Sequence, residues 1–227
     1  MINQLAPLPN FLVSRYRNWK SNSYLNSEDH FKNLASLGQN PSSMVISCCD
    51  SRVHATSIFG ADAGEFFIHR NIANLVPIYS PDGKNHGTSA AIEYGVKELK
   101  IQHLIVLGHT DCGGIKSGHS LHSNSLNPDY EFINKWLSIL TPAFNNISKN
   151  VSQHNQIHLL EEESIKISLK NLFDFPNIKE LVENKSLSVH GLIHDIGHGP
   201  YSHLFDELFD EDKNHEYRSG ELFKRMN

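Results

Sequence analysis

Three short apolar runs stand out in the first half of the chain, at 44–47 (MVIS), 65–69 (EFFIH) and 103–107 (HLIVL), each bounded by turn-forming residues. Runs of this length, rich in β-branched and aromatic residues, predict buried strands. Between the last two, GTSAAIEYGVKELK at 87–100 puts Ile92, Val96 and Leu99 on one helical face, behind small hydroxyl residues able to cap it. Strand, crossover helix and strand in succession predict a parallel sheet with helices on its faces. The pattern then turns helical: 129–144 (DYEFINKWLSILTPAF) spaces Ile133, Trp136, Leu137 and Leu140 along one face, and 158–173 (HLLEEESIKISLKNLF) does the same. A short helix at 177–184 and a strand in LSVHGLI at 187–193 follow, while the polar stretch 117–127 reads as a loop. The expected class is α/β, with a central, mostly parallel sheet flanked by helices.

Composition narrows this picture. A chain of 227 residues suits one main domain. Its formal net charge of -5, without a block of Lys and Arg, excludes the electrostatic footprint of a nucleic-acid binder. The first twenty residues lack the apolar core of a signal peptide, and no run of eighteen apolar residues occurs, so a protein of the cytoplasm without a membrane span is expected. Three cysteines, Cys48, Cys49 and Cys112, are too few and too odd in number for a disulfide framework. They point to metal or thiol chemistry in a reducing compartment. Beyond Ile196 the composition shifts to His, Asp, Glu and Phe, which places a boundary between 1–196 and 197–227.

SCCDSR at 47–52 follows one predicted strand and GHTDCGG at 108–114 follows another. In open α/β sheets, ligands collect beyond the carboxyl ends of strands, where two such loops can meet. His109 and Cys112 have the HxxC spacing of ligands to one ion, with Cys48 or Cys49 available as the third. Two thiolates and an imidazole suit Zn²⁺ and leave its fourth position free, the pattern of a catalytic site. Gly113 and Gly114 then allow a tight turn beside the ion.

On these residues the chain resembles the β-class carbonic anhydrases. CCDSR is similar to that family's CxDxR motif and HTDC to its HxxC motif, while GEFFIHRNIANLV and GTSAAIEYGVKELKIQHLIVLGH match the segments between them. The likeness runs over about 7–193. It implies Cys48, His109 and Cys112 as ligands of one Zn²⁺ per subunit, with Cys49 a bystander. It also implies Asp50 and Arg52 as a catalytic dyad, the guanidinium fork holding the carboxylate in two places. Gln39, Phe67, Ile72, Tyr94 and Gly113 fall on substrate-side positions, some of them across a subunit interface. The implied activity is reversible hydration of carbon dioxide to bicarbonate and a proton, through attack by zinc-bound hydroxide. Two thiolates cancel the charge of the ion, so activity is expected to rise above neutral pH. The resemblance further implies an N-terminal helical arm and a homodimer or larger homo-oligomer. Relatives that close their site by letting the aspartate onto zinc resemble one another in a tryptophan three places before the first cysteine; Val45 stands there in this chain, which predicts an open site.

One more stretch competes for attention. IHDIGHGPYSHLFDE at 193–207 resembles the HD-domain phosphohydrolases, with His194 and Asp195 as the metal-binding doublet and His198 and His215 in assisting positions. That likeness is confined to about 193–227, and the chain offers neither the earlier histidine nor the distant aspartate of such a site. An atypical helical tail is expected there, with Leu204, Leu208, Leu222 and Phe223 on one face. The alternatives to a carbonic anhydrase are thus an HD-type phosphohydrolase or a non-catalytic zinc protein.

Overall fold

The computed structural model describes residues 6–82, 86–123 and 129–196. The HD-like tail and the boundary at 196/197 therefore lie at or outside the edge of the described residues. The chain divides into two compact units, Met1–Asn40 and the remainder from Pro41 onward.

The first unit holds α1 (Asn10–Trp19), a wider helical turn (Lys20–Tyr24) and α2 (Glu28–Leu37). Its rings pack on one another: Trp19 lies 5.7 Å from Phe31 and 5.6 Å from Tyr24, centroid to centroid, and Tyr24 stacks on Phe31 at 5.5 Å. Phe11, Leu12, Tyr16 and Leu25 remain exposed.

The second unit is built on β1 (Ser43–Cys48), β2 (Phe66–Asn71), β3 (His103–His109) and β4 (Ser188–His194). They run parallel in the order β2-β1-β3-β4. Every residue of β1 is buried, as a central strand covered on both faces requires. Met44 and Ile46 pack, with Leu104 and Val106 of β3, against Ile92 of α4 (Gly87–Glu93) and Ile165, Leu169 and Leu172 of α8 (Gln153–Leu172). Val45 and Leu107 point the other way, onto Val53 and onto Ala55 and Ile58 of α3 (Ala55–Phe59). A third apolar group surrounds Cys48 and Cys112 and includes Leu75, Leu137, Leu140, Ala143 and Leu160. It is supplied by α5 (Gly113–Ser123), α6 (Glu131–Leu137), α7 (Thr141–Asn146) and α8, with α9 (Ile178–Glu183) leading into β4.

Ser152 caps α8 by accepting a hydrogen bond from the Asn155 N–H, so the helix begins five residues before the apolar pattern alone suggests. Ile165 and Leu169 pass so close to β4 that a Cβ on Gly191 would come within 2.6 Å of Ile165. The stretch read as a polar loop from Ser117 is helical through Ser123. Ile115, Gly118 and His119 form its buried face, and histidines took the place of the aliphatic residues that signal an inward face. The 129–144 segment is two helices with a tight turn between them, Pro142 sitting in the first turn of α7.

Candidate metal centre

β1 runs to β2 on one side and the chain then crosses back to β3 on the other, so β1 and β3 flank the point where the strand order reverses. Loops leaving the carboxyl ends of two such strands part in opposite directions and leave a crevice. Cys48 ends β1, His109 ends β3, and Cys112 closes the turn before α5. Their ligand atoms all lie within 4.8 Å of one another, and the three residues are 4%, 1% and 0% exposed. Cys49 is exposed and lies outside this group, which leaves Cys48 as the third member.

These side chains fit a zinc ion. The two Sγ atoms are 3.9 Å apart; tetrahedral Zn–S bonds of about 2.3 Å would set them about 3.8 Å apart. The Thr110 carbonyl can only accept, so the 2.8 Å contact with His109 Nδ1 fixes the proton on that nitrogen. Nε2 is left with its lone pair, buried and without a hydrogen-bond partner. An orphaned acceptor beside two buried thiols is what a cation would satisfy. The Cys112 thiol, and after it His109, draws the Cys48 thiol far below its usual value, while the Cys48 thiolate together with burial pushes Cys112 well up. One proton leaves this pair easily and the second is held by like-charge repulsion, which a divalent ion removes. Burial pulls His109 down, but the Cys48 thiolate, the Thr110 carbonyl and, least, Asp50 together outweigh it and raise its pKa.

Asp50 and Arg52 sit on the loop after β1. Arg52 Nε donates to Asp50 Oδ1 at 2.9 Å and Nη2 to Oδ2 at 2.7 Å, and the Arg52 backbone N–H adds a third bond to Oδ1 at 3.0 Å. The guanidinium beside it holds the Asp50 carboxyl far below the usual carboxylate range. Asp50 Oδ2 stands 3.9 Å from His109 Nε2. Arg52 Nη2 also donates to the Asp111 carbonyl at 3.2 Å, tying the two loops together.

Further supports were not singled out by sequence reasoning. Arg70 donates to the carbonyls of Cys48 (2.9 Å), Asp50 (2.7 Å) and Val53 (2.7 Å), gripping the whole loop. A charge just beyond the apolar run FFI of the second strand was the available signal. Glu161, 4% exposed, accepts from the Cys112 N–H at 3.0 Å. It hides in the run EEE, and only its helical phase with Leu160, Ser164 and Ile165 marks it as inward. Thr110 donates its N–H to the His194 carbonyl (2.9 Å) and its hydroxyl to Asp195 (3.1 Å), so the HD doublet lies at a strand end, braced against the metal-site loop.

The substrate-side residues are distributed unevenly. Ile72 adjoins the second loop: a Cβ on Gly114 would fall 2.9 Å from Ile72 Cγ2 and from Ala73 Cβ. Gly113 has open space around the same position. Phe67 and Tyr94 pair at 5.7 Å, ring to ring. Phe67 is four rows before Asn71, the residue in register with Cys48, hence about 13 Å along the strand from the ligands of its own chain. Gln39 is exposed and belongs to the first unit. Gly114→Ala is therefore expected to cost about 1–3 kcal/mol of stability through overpacking, and Gly113→Ala little; thermal denaturation of the two variants checks the contrast.

Comparison with known proteins adds the family. Beta carbonic anhydrase 3 of Arabidopsis thaliana is 35% identical over 193 residues, which cover 84% of this chain and 74% of the relative. The carbonic anhydrase family model matches residues 43–201, a span that takes in the four described strands and both loops. The chain belongs to the β-carbonic anhydrase family. The solved β-carbonic anhydrase CcaA superposes with a TM-score of 0.76 at 30% identity, covering 83% of either chain. A tetrameric β-carbonic anhydrase from Sordaria macrospora does so with a TM-score of 0.68 at 30% identity, covering 82% of this chain and 91% of its own. The protein is thus a zinc-dependent carbonic anhydrase, which interconverts carbon dioxide and bicarbonate, with a Cys, His and Cys group that fits the ion. Residues 202–227 lie beyond the matched span.

Proposed function

We propose that Cys48, His109 and Cys112 hold the zinc of this carbonic anhydrase and that Asp50 and Arg52 act beside it. The observation that carries this reading is the convergence of three buried ligand atoms within 4.8 Å, with Asp50 Oδ2 at 3.9 Å from His109 Nε2. Zinc supplies the Lewis acidity that ionises a water near neutral pH. Asp50, kept ionised by its two-point contact with Arg52, accepts a hydrogen bond at that face and cannot donate one, which orients the attacking group's lone pair toward carbon dioxide. With both carboxylate oxygens occupied by Arg52, the site works in its open form, in keeping with Val45.

Gly113 provides a backbone amide donor for a substrate oxygen, and Ile72 an apolar wall. Phe67 and Tyr94, remote from the ligands of their own chain, serve a neighbouring subunit's pocket. The exposure of Tyr94, Ile72 and the α1 residues Phe11, Leu12 and Tyr16 supports a homodimer or larger homo-oligomer. Three free thiols favour a reducing compartment such as the cytoplasm. No described helix is long and apolar enough to cross a membrane. We propose 1–196 as the enzyme domain and 197–227 as an appended HD-like tail without a catalytic role, because the His194 carbonyl and the Asp195 carboxylate both accept from Thr110 and build the doublet into the support of the metal-site loop.

Stopped-flow hydration of carbon dioxide by the zinc-loaded protein tests this reading. The expected result is turnover that rises above neutral pH and persists in His194→Ala. Release of phosphate from nucleotides, lost on Asp195→Ala, with no hydration, would overturn it in favour of the phosphohydrolase.

A further inference from the structure

Two histidines of α8 converge on one another and are left unused by the catalytic reading. His154 and His158 are one helical turn apart, and their Nε2 atoms approach to 3.1 Å with the rings nearly perpendicular, at 88°. Two nitrogens each about 2.0–2.1 Å from one ion would be separated by about 2.9 Å at a right angle and about 3.3 Å at the tetrahedral angle. The observed separation falls between them.

The other ring nitrogen of His158 is also arranged for a ligand. His158 Nδ1 lies 3.1 Å from Glu161 Oε2, and the Glu161 carboxylate is 4% exposed and anchored through Oε1 to the Cys112 N–H. A carboxylate accepting from Nδ1–H fixes the tautomer and leaves the Nε2 lone pair outward, the same support that metal-binding histidines use elsewhere. With that lone pair fixed, the short contact requires His154 Nε2 to carry a proton. Moving that proton to Nδ1, on an exposed residue, turns the hydrogen-bonded pair into two acceptors on one point. The helix itself sets the spacing, so no chain ordering is needed to form the pair.

We propose that His154 and His158 form a second metal site, separate from the Cys, His and Cys group, for a transition-metal dication of the imidazole-preferring kind, with water completing its coordination. Two imidazoles select Zn²⁺, Ni²⁺, Co²⁺ or Cu²⁺ over Mg²⁺ and Ca²⁺, which take oxygen ligands.

The test is calorimetric titration of the zinc-loaded protein with Ni²⁺, chosen because it does not oxidise thiols as Cu²⁺ does, with zinc content followed throughout. The wild type should show a Ni²⁺ binding event that leaves the catalytic zinc in place, and Mg²⁺ should produce none. His154→Ala and His158→Ala should each lose that event, while His154→Ala keeps its full zinc content and hydration rate. The inference is overturned if the wild type binds no Ni²⁺ beyond exchange of the catalytic zinc, or if His154→Ala binds it as the wild type does. Because His154 is exposed, its variant decides the matter even if His158→Ala disturbs Glu161 and the fold.

Discussion

Cys48→Ser is expected to abolish carbon dioxide hydration, while Cys49→Ser leaves it near the wild-type rate. The two cysteines are neighbours in sequence and opposites in space. Cys48 is 4% exposed at the end of a central strand, 3.9 Å from the Cys112 sulfur, whereas Cys49 faces solvent. A serine hydroxyl at 48 stays protonated and is a poor zinc ligand, so two protein ligands remain where three are needed. The several kcal/mol that a metal contributes to the transition state, at about 1.4 kcal/mol per tenfold, correspond to a loss of about a thousandfold or more. Metal analysis and stopped-flow hydration of both variants check this. Substoichiometric zinc in Cys48→Ser alone is the expected outcome, and equal zinc and equal rates in both would assign the ligand wrongly.

The second large effect is expected from Asp50→Asn, with zinc retained and the hydration rate lowered by about 10²- to 10⁴-fold, the range for a lost proton-handling group. The asparagine keeps the shape but turns one acceptor into a donor facing the Arg52 fork, whose Nε and Nη2 both already donate to this carboxyl. The amide then rotates or the guanidinium swings away, and either change misaligns the face that stands 3.9 Å from His109 Nε2. Arg52→Lys should fall between wild type and Asp50→Asn, because an ammonium supplies charge without the two-point geometry. Normal zinc content separates this result from Cys48→Ser; a rate within a few-fold of wild type in Asp50→Asn would remove the dyad from the mechanism.

Much of the sheet was legible because its two central strands are largely buried and therefore nearly continuous in hydrophobicity, while the outer two keep short apolar runs. MVIS, HLIVL and LSVHGLI lie within β1, β3 and the β4 region, and EFFIH overlaps β2 by all but its first residue. Site chemistry was legible where residue type and spacing coincide, as in HTDC. Periodicity alone left Cys48 and Cys49 open, since adjacent residues of a strand end differ only in which way they point. Arg70 and Glu161 stayed hidden because their partners are backbone atoms remote in sequence, and no side-chain pattern records a carbonyl. The helical nature of 117–123 was obscured for a related reason: its inward face is made of glycine and histidine, not of aliphatic residues.

One guanidinium, that of Arg70, holds three carbonyls of the loop carrying Cys48 and Asp50, and Glu161 holds the backbone of the turn carrying Cys112. The cradle is thus shaped by protein-to-protein bonds and not by the ion it receives. In contrast to small domains that fold only around their metal, this cradle is expected to keep its form when a chelator removes the ion, which circular dichroism of the metal-free protein checks. Zinc would then be a loadable part, and the active fraction of the enzyme would follow the supply of zinc in its surroundings.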